Sequence, residues 1–226
     1  MMRAMLRLLL VCLLATAAHA SKPVKKTATG CVIKGTFFLV DGTHAYRFSL
    51  DLDLKPFEGK LITMKGLLYP GDRFTLEDGT QPQVKAATCP AASLRPIKRI
   101  EAIDLRLAAG RAVKDGDFGR GVELSNEAIA VITPADCDAY VDRATIFAQK
   151  GDLDAAKADL ALIKARKKCV VDRRMNWLLL QDLAKAFVDK GDKPSAVTAL
   201  LLAKAACDST LCKPDIEKAL AEARKK

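Results

Sequence analysis

Histidine and tryptophan are nearly missing from this 226-residue chain, which holds two and one respectively. A metal or catalytic centre built on imidazole would have to use His19 or His44, and His19 lies in a leader-like segment. The seven cysteines form no C-x-x-C pair, so the usual spacings of thiol-redox centres and zinc ribbons are absent. There is no Gly-rich phosphate loop, no G-x-S-x-G elbow and no H-E-x-x-H. After the first residues no apolar run is long enough to cross a bilayer. These gaps point away from an enzyme, and the chain is expected to carry no catalytic residue, metal or cofactor.

The opening twenty residues, MMRAMLRLLLVCLLATAAHA, hold two arginines, an apolar run from Leu6 to Leu14, and Ala18 and Ala20 around His19. That is the pattern of a secretory signal peptide (1–20) cut before Ser21, which places the protein in a periplasm or outside the cell. Cys12 would leave with the leader. The six remaining cysteines, Cys31, Cys89, Cys137, Cys169, Cys207 and Cys212, then read as three disulfides. The formal net charge of +10 is spread over both halves, which suits an anionic surface without demanding nucleic acid.

Residues 21–90 read as strands. "AYRFSL" alternates Tyr46, Phe48 and Leu50 with polar neighbours, and further apolar runs alternate with the turn signals "DG", "PGD" and "EDG". Five short strands with tight turns point to a small barrel or sandwich, and a five-stranded antiparallel barrel is the expectation. Seven of the chain's twelve aromatic residues lie here (Phe37, Phe38, Tyr46, Phe48, Phe57, Tyr69 and Phe74) and are expected to fill the core rather than form a stacking platform. Asp51 and Asp53 are placed on one strand face as solvated acids. A Cys31–Cys89 bridge would close this module. The stretch "DLKPFEGKLITMKGLLYPGDRFTLEDG" resembles the small OB-like barrels of bacterial exported proteins. Only "PGD" separates Tyr69 from Arg73, too little for the helix of a full OB-fold, so an SH3-like barrel stays open. Residues 91–100, "PAASLRPIKRI" with the preceding proline, read as a linker.

Beyond the linker one phrase recurs: "DGDFGRGVEL", "KGDLDAAKADL" and "KGDKPSAVTAL" align on Gly116, Gly151 and Gly191. Seven residues before each glycine stands Ala109, Ala144 or Ala184, and five after stands Gly121, Ala156 or Ala196. Leu105, Tyr140 and Leu180 precede, and Ala128, Ile163 and Ala203 follow, at matching offsets. Small residues at the closest approach and larger apolar ones a turn away specify antiparallel helix pairs, with glycine ending the first helix and aspartate capping the second. The pattern resembles the tetratricopeptide repeat: three TPR-like hairpins and a capping helix over residues 101–226, an all-α solenoid that makes the chain α+β in two domains.

In such hairpins Cys137 and Cys169 meet at one end, and Cys207 lies close to Cys212; Cys169–Cys207 is the rival pairing. The resemblance implies a groove lined by the first helix of each pair, with Arg106, Lys114, Thr145, Gln149, Gln181 and Lys185 as its polar lining, holding a protein or peptide partner. The alternative is an anionic polymer (polysaccharide, lipid headgroup or nucleic acid) held by the basic barrel on a scaffold of repeats. The densest basic cluster, Lys164, Arg166, Lys167, Lys168, Arg173 and Arg174, is the candidate patch for such a polymer and equally suits the negative end of a helix dipole.

Overall fold

The computed structural model describes residues 22–132, 137–166, 176–207, 210 and 212–225. The chain divides into two compact units, Met1–Ile97 and Lys98–Lys226.

The first unit is a barrel. β1 (Val24–Ile33), β2 (Thr36–Asp41), β3 (His44–Leu50), β4 (Leu61–Tyr69), β5 (Arg73–Leu76) and β6 (Gln83–Ala86) follow one another, with a 3-10 turn at Lys55–Phe57. The order is β1-β2-β3-β5-β4, closed by β1 against β4, while the short β6 pairs with the other end of β4. The barrel is mixed rather than antiparallel as expected: β3 and β5 run parallel through Ser49, Leu50, Arg73 and Phe74. Parity explains the difference, because a closed ring of five strands cannot alternate direction at every pair.

Two glycines make the closure feasible. Gly30 pairs with both Leu39 and Ile62, and Gly66 with both Lys26 and Leu76. A Cβ on Gly30 would lie 2.0 Å from the Phe38 carbonyl oxygen, and one on Gly66 2.1 Å from that of Thr75. A strand that bends between two neighbours leaves no room for a side chain there. The core inside holds Ala28, Val32, Phe37, Phe48, Leu54, Ile62, Met64 and Phe74. Phe48 and Phe74 stack with centroids 5.8 Å apart. Four of the seven aromatics are thus buried, but Tyr46, read as inward, is 46 % exposed.

One further expectation holds and two need adjustment. Cys31 lies near the end of β1, because the lysine-bearing segment from Val24 pairs by backbone with β4 despite its exposed side chains. It is bonded to Cys89, as expected. Asp51 and Asp53 fall after β3 in irregular chain, and Asp53 accepts from the Lys55 amide at 3.0 Å, a local turn bond. Residues 91–100 are helical: α1 runs Ala91–Lys114 with Pro96 inside it, and the boundary between the units falls within this stretch.

The second unit is helical. α2 (Phe118–Val131), α3 (Cys137–Lys150), α4 (Leu153–Ala165), α5 (Asn176–Asp189), α6 (Lys193–Ala206) and α7 (Lys213–Ala223) follow α1, giving seven helices among the described residues. The recurrent phrase forms one turn built three times. Gly116, Gly151 and Gly191 have φ of 85°, 94° and 81°, the left-handed region where a side chain strains the backbone. The next amide reaches back five residues in each case: Asp117 to Ala112, Asp152 to Phe147 and Asp192 to Phe187, all at 2.9 Å. This Schellman closure ends the first helix, and the same aspartate opens the second. Asp117, Asp152 and Asp192 accept from the amides of Arg120, Ala155 and Ser195 at 2.9, 3.3 and 3.2 Å.

The small residues lie where the spacing requires. Ala109, Ala144, Ala156 and Ala196 are fully buried and Ala184 nearly so. A Cβ on Gly121 would sit 2.7 Å from Val113 Cγ2, so the first pair packs more tightly than the alanine-bearing ones. Cys207 is bonded to Cys212, which removes the Cys169–Cys207 pairing. Cys137 is disulfide-bonded as well. Cys169, and with it the Cys137–Cys169 expectation, lies outside the described residues, as does the leader.

Candidate functional site

The first helix of each pair presents one stripe outward. The positions thirteen, nine and six residues before the turn glycine are Ile103, Leu107 and Gly110 on α1, Asp138, Asp142 and Thr145 on α3, and Leu178, Asp182 and Lys185 on α5. All nine are exposed or half-buried, because the buried face is used by the positions between them. Ile103, Leu107 and Leu178 are 44, 59 and 44 % exposed, large apolar groups on an otherwise polar face.

The six polar groove candidates are not gathered at one place. Arg106 is committed to structure: its Nε donates to Asp142 at 2.6 Å and its Nη1 to Asp138 at 3.3 Å, tying α1 to α3. Burial acts to lower the Arg106 pKa, but the charges and hydrogen bonds of Asp142 and Asp138 outweigh it, so the guanidinium is held more firmly protonated than usual. The Thr145 hydroxyl donates to the Val141 carbonyl at 2.9 Å, a bond within its own helix. Lys114 and Gln149 are exposed near the ends of α1 and α3. Gln181 and Lys185 share a groove.

That groove, of about 450 Å³, lies between α5 and α7, with α6 behind. Its apolar wall is Ala184, Val188, Leu200, Ala219 and Ala223; its polar edge is Gln181, Asp182, Lys185, Lys193 and Glu222. Lys185 Nζ donates to Asp189 at 2.7 Å, and Lys193 Nζ to the Lys225 carbonyl at 2.9 Å.

Of the basic patch, Lys164 is exposed in the last turn of α4, where a cation meets the negative end of the helix dipole. Arg166 stacks 4.5 Å from the Tyr140 ring centroid and donates to its hydroxyl at 3.1 Å, a contact between α4's end and α3. Lys167, Lys168, Arg173 and Arg174 lie outside the described residues.

The residues missed in the sequence are the buried pair that holds the second hairpin. Arg143 reaches both carboxylate oxygens of Asp159, at 2.9 and 2.6 Å, and Asn126 Oδ1 at 2.6 Å, while its guanidinium lies over Tyr140 and Phe147. Asp159 is 2 % exposed. The signal was present: Asp159 falls three residues after Ala156 and four before Ile163, on the inward stripe of α4, where only a paired acid is tolerated. Among the described residues no group of three or more His, Cys, Asp or Glu side chains gathers as metal ligands do.

The fold and groove define a class: a two-unit protein with a closed mixed barrel followed by stacked helical hairpins that leave an apolar groove beside the last helix. No protein-family model matches the chain, and no curated protein matches it either.

Proposed function

We propose that this is an exported, non-enzymatic interaction protein whose TPR-like hairpins hold a segment of a protein partner, the OB-like barrel serving as a second module. The observation that carries this reading is the groove between α5 and α7, with its apolar floor and mixed polar rim, in the size range of ligand sites. It sits on the outward stripe of the repeat, beside the expected lining residues Gln181 and Lys185. Two of the three expected disulfides, and the absence among the described residues of any helix long and apolar enough to cross a membrane, fit a periplasmic or extracellular setting. The barrel's strand order, with its parallel β3–β5 contact, favours an OB-like over an SH3-like description.

The test is a crosslinking capture from the native envelope using residues 21–226, beside a variant with Gln181, Lys185 and Val188 changed to serine. A protein captured by the first and lost by the second supports the reading. Equal capture by both, or recovery only of a polymer that releases as salt rises, moves the function to the barrel or the basic cluster.

A further inference from the structure

The groove is a gap in the chain's own repeat. α7 starts at Lys213 as α3 starts at Cys137, and aligning those starts puts Ile216 in register with Tyr140 and Leu180, the large apolar position of each first helix. Ile216 is fully buried, as that position requires. α7 therefore follows α6 as a first helix of the next unit would, packed against α6 with the groove between it and α5. Two positions then differ. Where α5 offers Leu183 and Phe187 to the stack, both fully buried, α7 offers Ala219 and Ala223. Those two alanines line the groove. The cavity is thus the space that a leucine and a phenylalanine occupy one unit earlier, left open by truncation.

The rim adds a charge preference. Its two lysines are engaged, Lys185 by Asp189 and Lys193 by the Lys225 carbonyl. Its two acids, Asp182 and Glu222, are exposed and form no ion pair with another described residue at bonding distance. A segment entering here meets an apolar floor with available carboxylates beside it.

Resting on the interaction reading above, we infer that the α5–α7 groove takes a single phenylalanine-sized side chain from a partner segment, flanked by Lys or Arg residues that meet Asp182 and Glu222. The anchor replaces what the stack itself supplies at Phe187, and the flanking cations set specificity.

The test uses residues 21–226 labelled for NMR and three blocked tripeptides: Ac-Arg-Phe-Arg-NH2, Ac-Arg-Ala-Arg-NH2 and Ac-Glu-Phe-Glu-NH2. The first is expected to saturate, with shift changes gathered at Ala184, Val188, Leu200, Ala219 and Ala223. Loss of the ring weakens binding at least about tenfold, and exchange of the flanking charges about fivefold. Ala223→Phe fills the space and abolishes the response. Because that change could disturb packing, the exposed pair D182K/E222K is measured too, and it should bind the Glu-flanked peptide more tightly than the Arg-flanked one. Shifts elsewhere, or equal affinity for both flanking charges in both proteins, would overturn the assignment. A random peptide library panned on the same chain separates the two levels. Binders that survive Ala223→Phe and are lost in I103S/L107S leave the interaction reading standing and remove this groove as its site. A library yielding no binder at all removes both.

Discussion

Removing the Arg143 side chain should unfold the helical unit more readily than any surface change, and the structure fixes how much. Asp159 keeps only 3 % of its side chain exposed, and both its oxygens are held by one guanidinium. Arg143→Met leaves that carboxylate in an apolar hairpin with no counter-charge, which costs about 3–5 kcal/mol. Asp159→Leu is milder, about 1–2 kcal/mol, because Arg143 retains 20 % exposure and its bond to Asn126. Changing both to apolar residues removes the desolvation cost with the attraction and should return stability to within about 1 kcal/mol of the parent. The coupling energy of the cycle is then large, about 3 kcal/mol or more. Urea unfolding followed by Trp177 measures it cleanly: this is the chain's one tryptophan and it stands in α5, so the barrel contributes nothing to the signal. An Arg143→Met variant within about 1 kcal/mol of the parent, or a double variant as weak as the sum of the singles, would refute the claim that this pair is buried and mutually dependent.

Other outcomes follow from geometry elsewhere. Serine at Cys31 and Cys89 should destabilise the barrel by about 4 kcal/mol, because that bridge spans 58 residues, whereas serine at Cys207 and Cys212, five apart, should cost the helical unit only about 2 kcal/mol; thermal melts resolved by NMR for each unit check the ratio. Gly66→Ala drives a methyl group into the Thr75 carbonyl and should cost the barrel more than about 2 kcal/mol, with Trp177 unfolding unchanged. Burial alone would raise the Asp192 pKa, but bonds from the Lys157 ammonium and from Ser195 outweigh it and hold the carboxyl below its ordinary range. Its contribution is therefore complete above the unfolded-state value of about 4 and is lost as pH falls through the lower folded value. Asp192→Asn keeps the cap acceptor and removes the charge, so the gap between parent and variant in urea should be widest near neutrality and close at the acid end.

Some of this was readable because it is local. A glycine followed by aspartate, repeated at near-constant offset from buried alanines, states a left-handed cap, a helix start and a close helix approach, and nothing distant can change those requirements. The barrel was legible as alternation and turns, but its parallel pair was not, since strand direction across a closed ring depends on the count of strands and not on any residue in β3 or β5. Arg106 was misjudged for a related reason. The repeat resemblance puts it in the groove lining, yet its register position is the one that Val141 fills fully buried in the next hairpin, and Asp138 and Asp142 on the next helix draw it into a bridge at 3.3 and 2.6 Å that no periodicity within α1 reports. The groove was the least legible feature: it arises from two alanines in a helix that carries no Gly-Asp turn, and it becomes visible only when α7 is laid over α3 and α5.

The three hairpins also allow a comparison inside one chain. The turn glycine and the capping aspartate are identical in all three, and the close-approach positions stay small: alanine throughout in the first helix, and Gly121, Ala156 and Ala196 in the second. A change at any of these breaks the cap or the helix contact. The outward positions share no residue common to all three hairpins: Ile103, Asp138 and Leu178; Leu107, Asp142 and Asp182; Gly110, Thr145 and Lys185. Asp138 and Asp142 are held by their bridge to Arg106, but stacking alone would tolerate any soluble side chain at Ile103, Leu107 and Leu178, and exposed isoleucine and leucine are poor choices on that criterion, since each leaves apolar surface in water. Their persistence on the same stripe that holds the groove is the pattern expected when a scaffold is fixed by its own packing and one face is set by something outside it. A stripe rewritten to Lys and Glu at Ile103, Leu107 and Leu178 should then keep or improve thermal stability and solubility while losing the capture of the proposed partner, and a loss of stability instead would assign those residues to the fold.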